Sequence, residues 1–238
     1  MNFKGKTAVV TGGTRGIGKA IVLRLRRYGC NVIATGTKRN LKKSQRINGV
    51  RYEKLDFLVP ESIASFIAVI QKLKNIDILI NNAGINIIES IDSLQKENWD
   101  KVLQVNLTGP MNISKEIVPL MKRGGKILNV SSIWGIMAKE KRHSYAAAKT
   151  GLIGLTKTMA LDLAARGVLV NALCPGFTIT ELTRESLSKK EIISLARQIP
   201  LKRFAHVDEI AEFAVFLCSD LNTYITGQAL VIDGGFSI

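Results

Sequence analysis

The chain has 238 residues, 46% of them hydrophobic and 22% charged, and a formal net charge of +15. That is enough apolar material for one large α/β domain or two small ones, and the composition excludes a disordered chain. No apolar run approaches the ~18 residues that span a bilayer, and Met1–Lys6 lacks the apolar core of a secretion signal, so a soluble, cytoplasmic protein with no membrane partner is expected.

Short β-branched runs alternate along the chain with longer amphipathic ones. Thr7–Val10 reads as the first strand and Ile17–Tyr28 as a helix that stops at Gly29. Between them stands Thr11-Gly12-Gly13-Thr14-Arg15-Gly16-Ile17-Gly18. Strand, glycine-rich turn and helix in that order suit a dinucleotide. Gly12 permits the tight turn, Gly16 the close approach of a pyrophosphate, and Gly18 close helix–sheet packing. Thr14 and Ile17 complete the loop, and the helix N-terminus faces the negative charge.

Asn31–Ala34 is the second strand and leads into Thr35-Gly36-Thr37-Lys38-Arg39. No carboxylate stands there to hold the ribose 2′-hydroxyl of NAD(H). A 2′-phosphate would meet Thr37 and the planar fork of Arg15, which favours NADP(H). Lys38, Arg39, Lys42, Lys43 and Arg46 form the densest basic cluster. No aromatic residue interleaves with them as a stacking platform, so no nucleic-acid partner is expected. The surplus of positive charge either attracts another anionic partner or is a solvated surface.

Val50–Leu55 is the third strand, followed by Asp56 and by a helix, Glu61–Lys72, behind Pro60. Ile76–Ile80 is the fourth strand and runs into Asn82-Ala83-Gly84. A single long helix is expected over Glu97–Met121, with Asn106 inside it, an unfavourable place for an asparagine. Lys126–Val130 is the fifth strand and ends in Ser131-Ser132. Tyr145–Ala165 is the next helix, stopping before Gly167. Val168–Leu173 is the sixth strand, followed by Pro175-Gly176, with Thr178 and Thr180 just beyond. Helix Asp208–Leu217 and strand Ala229–Ile232 close the chain.

This alternation implies right-handed crossovers and a doubly wound parallel α/β sheet, a Rossmann fold, as one domain over residues 1–238. The polar stretch from Thr178 to Phe204 interrupts it and is expected to be a substrate lid. Cys30, Cys174 and Cys218 are far apart and form no metal-binding spacing with His143 and His206, so reduced thiols and no metal are expected.

Tyr145 and Lys149, four apart, share one helix face. A tyrosine hydroxyl with a pKa of about 10 is a poor base at neutral pH, and a nearby ammonium and an oxidised nicotinamide are both expected to lower that value. Tyr145 and Lys149 therefore make a sensible acid/base unit, with Ser132 to hold a carbonyl or alkoxide oxygen.

The loop Thr11–Gly18, with its Gly-x-x-x-Gly-x-Gly spacing, resembles that of the short-chain dehydrogenase/reductase family. So do Asn82-Ala83-Gly84, Asn106-Leu107-Thr108-Gly109, Ser132 thirteen residues before Tyr145, Tyr145-x-x-x-Lys149 and Pro175-Gly176. These motifs stand in family order over nearly the whole chain. The resemblance implies an oxidoreductase that exchanges a hydride between NADP(H) and a carbonyl or alcohol carbon. Tyr145 would be the acid, Ser132 would orient the oxygen, and Lys149 would bind the ribose and lower the tyrosine pKa. Asn106 would distort its helix and anchor a water. Asp56 would contact the adenine, and Asn82, Ala83 and Gly84 would line the cofactor. The loop from Pro175 and Gly176 to Thr178 and Thr180 would hold the carboxamide.

Within the family, the run Tyr145–Gly154 and the opening Asn2–Lys6 are most similar to 3-oxoacyl-[acyl-carrier-protein] reductases. Arg123 and Arg166 match two arginines that grip the acidic carrier in that subgroup. Two stretches depart from it: Ile85–Asp92, and the basic Lys139-Glu140-Lys141-Arg142-His143 before Tyr145. The basic loop overlooks the site, with His143 at its rim, and suits a carboxylated or phosphorylated small substrate. A sugar, polyol or other small-carbonyl dehydrogenase therefore stays open, as does a nucleotide-sensing regulator without turnover. Ala146, Ala147, Ala148, Leu152, Leu155 and Met159 give helix Tyr145–Ala165 more apolar surface than one sheet covers. By resemblance, that implies a homotetramer of D2 symmetry.

Overall fold

The protein is described by a computed structural model covering residues 1–38 and 46–238, so Arg39, Lys42 and Lys43 of the basic cluster lie outside the described residues. Lys38 and Arg46 are exposed.

Strands β1 (Thr7–Val10), β2 (Asn31–Gly36), β3 (Val50–Lys54), β4 (Ile78–Asn81), β5 (Lys126–Val130), β6 (Leu169–Pro175) and, last in the chain, β9 (Ala229–Ile232) build one sheet in the order 3-2-1-4-5-6-9. Every neighbouring pair in it is parallel. β1, β4 and β5 are buried along almost their whole length, as expected of strands covered on both faces. Chain order reverses between β1 and β4. In such sheets the crevice outside the C-terminal strand ends at that reversal is where ligands bind.

Helix α1 (Gly16–Arg27) buries Ala20, Ile21, Val22 and Leu25 and ends at Gly29, whose φ of 91° only glycine adopts freely. It packs on one sheet face together with α8 (Val207–Leu217). The other face carries α2 (Pro60–Ile70), α4 (Gly109–Ile117) and α5 (His143–Ala164), around a core of Phe66, Ile70, Ile113, Ile117 and Leu163.

The single helix expected over Glu97–Met121 is broken. It consists of α3 (Lys96–Leu103), a π turn at Gln104–Thr108, α4, and a 3-10 turn at Val118–Leu120. Pro110 is the physical cause on the backbone side. It has no N–H to give the carbonyl of Asn106, four residues earlier, and the Gly109 N–H instead reaches back five residues to Gln104 O.

The stretch after β6 leaves through β7 (Thr178–Ile179) and returns through β8 (Ala205–His206), which pair in parallel, Thr178 with Ala205 and Ile179 with His206. Between them stand α6 (Glu181–Ser186) and α7 (Lys189–Gln198). Ser188 and Glu191 cap α7 reciprocally, and α7 buries no residue.

Beneath the sheet's C-terminal edge, a buried polar chain ties four elements together. Asn81 Nδ2 donates to Asn129 Oδ1 at 2.8 Å and to Ser114 Oγ at 3.1 Å. Asn129 Nδ2 donates to Thr156 Oγ1 at 2.9 Å, and that hydroxyl donates to Leu152 O at 2.7 Å. Asn129→Ala strands partners on both sides in a dry interior. It is expected to cost about 2–3 kcal/mol, read as a lower urea midpoint at unchanged slope. A loss under about 0.5 kcal/mol would show that the chain of amides does not hold α5 to the sheet.

Candidate active site

The glycine loop and the end of β4 meet without space between them. A Cβ on Gly12 would lie 2.9 Å from Ala83 Cα, and one on Gly18 would lie 2.3 Å from both Asn82 Nδ2 and Gly12 O. Asn82 Nδ2 donates to Thr11 O at 3.0 Å and Gly12 O at 3.2 Å, and the Asn82 and Ala83 N–H groups both donate to Thr11 Oγ1. Asn82 therefore acts as a brace for the loop. Ile17 packs into the core beneath it.

Two further contacts extend this line. Toward β2, Gly36 leaves room for Thr14, whose Cγ2 would stand 2.7 Å from a Cβ there. Exposed Arg15 and Thr37, the neighbours of Thr14 and Gly36, thus flank one corner. Asp56 follows β3 at the same edge and accepts the Leu58 N–H at 3.0 Å. Toward the insertion after β6, Thr180 Cγ2 would stand 3.5 Å from a Cβ on Gly16. Glu181 Oε2 accepts the Gly16 N–H at 3.0 Å.

The first turn of α1 has no acidic residue and no side-chain cap, so its free N–H groups are available to an anion, and the Glu181 carboxylate is already seated on one of them. A pyrophosphate fits that donor set. Pro175 is buried, and Gly176 abuts Asp233, where a Cβ would lie 2.6 Å from the Asp233 Cβ. Buried Thr178 donates its hydroxyl to Gly176 O at 3.1 Å.

The groups that can do chemistry converge beside Gly84, where a Cβ would be 3.0 Å from Asn106 Oδ1 and 3.6 Å from Lys149 Nζ. Asn106 is fully buried. Its Oδ1 accepts the Ile85 N–H at 2.9 Å, and its Nδ2 donates to Ile85 O at 2.7 Å. The side chain that looked misplaced in a helix thus serves the strand-end loop.

Ser131 Oγ donates to Lys149 O at 2.9 Å and Thr150 Oγ1 to Gly135 O at 3.0 Å, which laces the turn after β5 onto α5. Gly135 has to be a glycine, because a Cβ would lie 2.9 Å from both Lys149 C and Ser131 Oγ. That lacing brings Ser132 toward Tyr145, near enough to oppose the rise that burial imposes on the phenol. Ser132 Oγ also accepts the Trp134 N–H at 3.2 Å.

Lys149 Nζ lies 5.6 Å from the Tyr145 ring centroid and donates to Val130 O at 2.7 Å. Burial lowers its pKa to about 8. Burial also raises the Tyr145 phenol above its ordinary value, while the Ser132 hydrogen bond and the Arg142 charge oppose that rise. Among the chain's own groups the net displacement is upward. Desolvation is the larger effect, and it is Arg142 rather than Lys149 whose charge opposes it.

Sequence reasoning placed Arg142 in the basic loop over the site without a spacing signal to single it out, and it missed one group. Cys174, read only as a reduced thiol, is buried behind the site, where desolvation raises it to about 11 and Ser131, Ser132 and Lys149 pull it down.

Arg123 and Arg166 lie elsewhere. They precede β5 and β6, at the N-terminal edge of the sheet, whereas Ser132 follows β5 at its other end. Arg166 Nη2 donates to Val118 O at 2.9 Å and Met121 O at 3.0 Å, closing the end of the interrupted helix. No group of metal-binding side chains and no helix long and apolar enough to cross a membrane occurs among the described residues.

Comparison with known proteins agrees with this geometry. A sequence profile described as enoyl-(acyl carrier protein) reductase matches residues 12–237. The chain is 40% identical over 247 residues to the 3-oxoacyl-[acyl-carrier-protein] reductase FabG of Thermotoga maritima, covering 100% of both. It is 38% identical over 244 residues to that of Escherichia coli, covering 99% of this chain and 98% of the relative. Among solved structures, a short-chain dehydrogenase/reductase from Serratia marcescens superimposes with a TM-score of 0.90 at 31% identity, covering 100% of both chains. A 4-hydroxyisoleucine dehydrogenase complexed with NADH does so at 0.90 and 33% identity, covering 98% of both.

A buried ammonium with a depressed pKa opposes folding. The folded pKa of Lys149, about 8, lies below the free value of 10.5, so between those pH values the unfolded chain binds more protons and stability rises with pH. Lys149→Met is therefore expected to raise the thermal midpoint at pH 7 by about 4 °C or more while removing turnover. The gap to wild type should narrow as pH climbs through that window. A variant that melts lower at pH 7 would mean that the Val130 bond outweighs the burial cost.

Proposed function

The chain belongs to the short-chain dehydrogenase/reductase family of nicotinamide-dependent oxidoreductases, and on that premise we propose that it is an NADPH-dependent reductase of 3-oxoacyl thioesters carried on acyl carrier protein. The observation that carries the reading is the meeting of Ser132, Tyr145, Lys149 and Asn106 at one point beside the glycine loop. The full-length likeness to 3-oxoacyl-[acyl-carrier-protein] reductases gives the substrate class.

When bound, the nicotinamide supplies the hydride. Everything else falls to the chain. The dinucleotide would lie along Gly12, Thr14, Gly16, Ile17 and Gly18, braced by Asn82, with Asp56 near the adenine and Ala83 and Gly84 along its length. Pro175, Gly176, Thr178 and Thr180 would close over the far end. Ser132 holds the carbonyl oxygen. Tyr145 donates its proton to that oxygen, and a phenol kept protonated by burial suits that direction. Lys149 presents its charge beneath the tyrosine ring and holds the ribose. Asn106 keeps the floor of the site in place and resupplies the proton through water. The segment from 178 to 204 is the lid. Its outer helix buries nothing, and Glu181 links it to the loop it would cover.

Absence of a carboxylate after β2, together with the corner formed by Arg15 and Thr37, supports NADP(H) over NAD(H). Carrier contacts at Arg123 and Arg166 would require the carrier to dock across a subunit boundary, since both lie far from their own chain's site. Exposed apolar positions on and beside α5, Leu161 at 79% and Met111 at 39%, together with Val231 on β9 at 39%, support a homotetramer. The cytoplasm fits the substrate.

Purified protein is expected to oxidise NADPH, and NADH far more slowly, when given an acetoacetyl thioester. Binding of NADPH with no reduction of the thioester would redirect the reading to a sugar or other small-carbonyl dehydrogenase. Tyr145→Phe should lower kcat by about 10³-fold or more and leave the NADPH dissociation constant within about threefold. Near-normal turnover in that variant would remove the tyrosine from the mechanism. Arg15→Ala should weaken NADPH by about tenfold or more and NADH little; equal losses would sink the 2′-phosphate assignment.

A further inference from the structure

The loop that delivers Tyr145 also holds a cation that the described chain leaves unpaired. Lys141 has φ 58°, a left-handed backbone that costs a residue with a side chain about 1 kcal/mol or more. Arg142 follows as the N-cap of α5, and its side chain caps nothing. The Glu89 N–H donates to Lys141 O at 3.2 Å, and Glu89 and Arg142 form an isolated parallel bridge. The two stretches that depart from the carrier-protein reductases, Ile85–Asp92 and the basic loop, are thereby pinned to each other beside the tyrosine.

Arg142 is half-buried. Its Nη1 is fully buried and has no hydrogen-bond partner. No described carboxylate lies within ion-pairing distance of it: Glu89 accepts from Asn98 Nδ2 at 2.7 Å through Oε1, and its Oε2 is itself buried without a hydrogen-bond partner. The buried lysines differ: Lys126 donates to Asn222 O at 2.9 Å and Lys149 to Val130 O at 2.7 Å. The charge of Arg142 acts on the Tyr145 phenol, three residues on along the same helix face. A desolvated guanidinium N–H without an acceptor is costly. An oxygen of the bound substrate would remove that cost.

We propose that Arg142 is a specificity-determining residue: its Nη1 takes the second oxygen of a 3-oxo acyl group whose reacting carbonyl is held by Ser132 and Tyr145. This rests on the 3-oxoacyl reductase reading above and names the residue that recognises the second oxygen of its substrate. The shared chemistry is an acceptor oxygen two carbons from the reacting one, supplied either by a thioester or by a free carboxylate. The planar fork of arginine suits both. The guanidinium selects the substrate without entering the proton transfer.

The test compares wild type, Arg142→Met and Arg142→Lys with three probes: acetoacetyl-N-acetylcysteamine, acetoacetate and 2-pentanone, which lacks the second oxygen. Both kcat/KM and the calorimetric dissociation constant of the protein for each probe are read. Arg142→Met is expected to lose about 10- to 100-fold on the dicarbonyl that wild type prefers, mostly in KM and in the dissociation constant. It should change 2-pentanone by less than about threefold, and Arg142→Lys should recover part of the loss. An equal loss on 2-pentanone, or no loss on the dicarbonyl, overturns the proposal while leaving the reductase reading intact. Wild-type reduction of acetoacetate but not the thioester, with the same Arg142 dependence, upholds the proposal and removes the carrier-bound substrate. Wild type that prefers 2-pentanone to both dicarbonyls, or reduces neither of them, overturns the proposal and the 3-oxoacyl reading together.

Discussion

Everything in this molecule hangs on the contact between the ends of β1 and β4. Gly12 and Gly18 let the loop after β1 lie directly against Asn82 and Ala83, and four hydrogen bonds from Asn82 and Ala83 to Thr11 and Gly12 fix the two strand ends relative to each other. This is the point where the strand order reverses, so the same contact that closes the sheet opens the crevice above it. One side of the crevice is the uncapped start of α1. The other is Gly84, with Asn106 and Lys149 packed at the place where a side chain would stand.

From that contact outward, the site is built by displacing water from polar groups and then choosing which of them are compensated. Asn106 is fully repaid by the Ile85 backbone, and Lys149 partly by Val130 O. Tyr145 is helped only in part by Ser132 and the Arg142 charge and remains above its ordinary pKa. Arg142 Nη1 has no partner at all. The sequence of decreasing compensation runs from the floor of the site toward its mouth, as expected if the outermost groups are finished by a ligand. The strained Lys141 and the close-packed Gly135 belong to the same arrangement: the first holds a left-handed backbone beside Arg142, and the second lets the turn after β5 lie against α5.

The interrupted helix over residues 96–120 shows where pattern reading reaches its limit. Its apolar spacing is helical throughout, so periodicity predicts one rod. Two local facts break it: Pro110 cannot donate to Asn106 O, and the Asn106 side chain finds better partners in Ile85 than a helix offers. The first was present in the sequence as a proline four residues after an asparagine. The second depends on Ile85 being within reach, and only the folded chain brings it there. Tyr145 is similar. An ammonium at the next turn of the helix suggests a lowered pKa, but the magnitude of burial decides the sign, and burial is a property of the assembled site.

What the sequence determined by itself is the order of the sheet's strands and their covering helices, the glycine loop and the residues proposed to carry chemistry. Each of these is written in local spacing: period 2 or 3.6, a glycine at a fixed offset, a tyrosine four before a lysine. What only the tertiary structure decided is which of those residues are dry, which are paired and which stretches meet. Arg142 and Glu89 are more than fifty positions apart, Gly84 and Lys149 more than sixty. Arg123 and Arg166, plausible carrier contacts on sequence, fall at the opposite end of the strands from the tyrosine. Desolvation and long-range contact are set by packing density around a group, and no window of neighbouring residues contains that information.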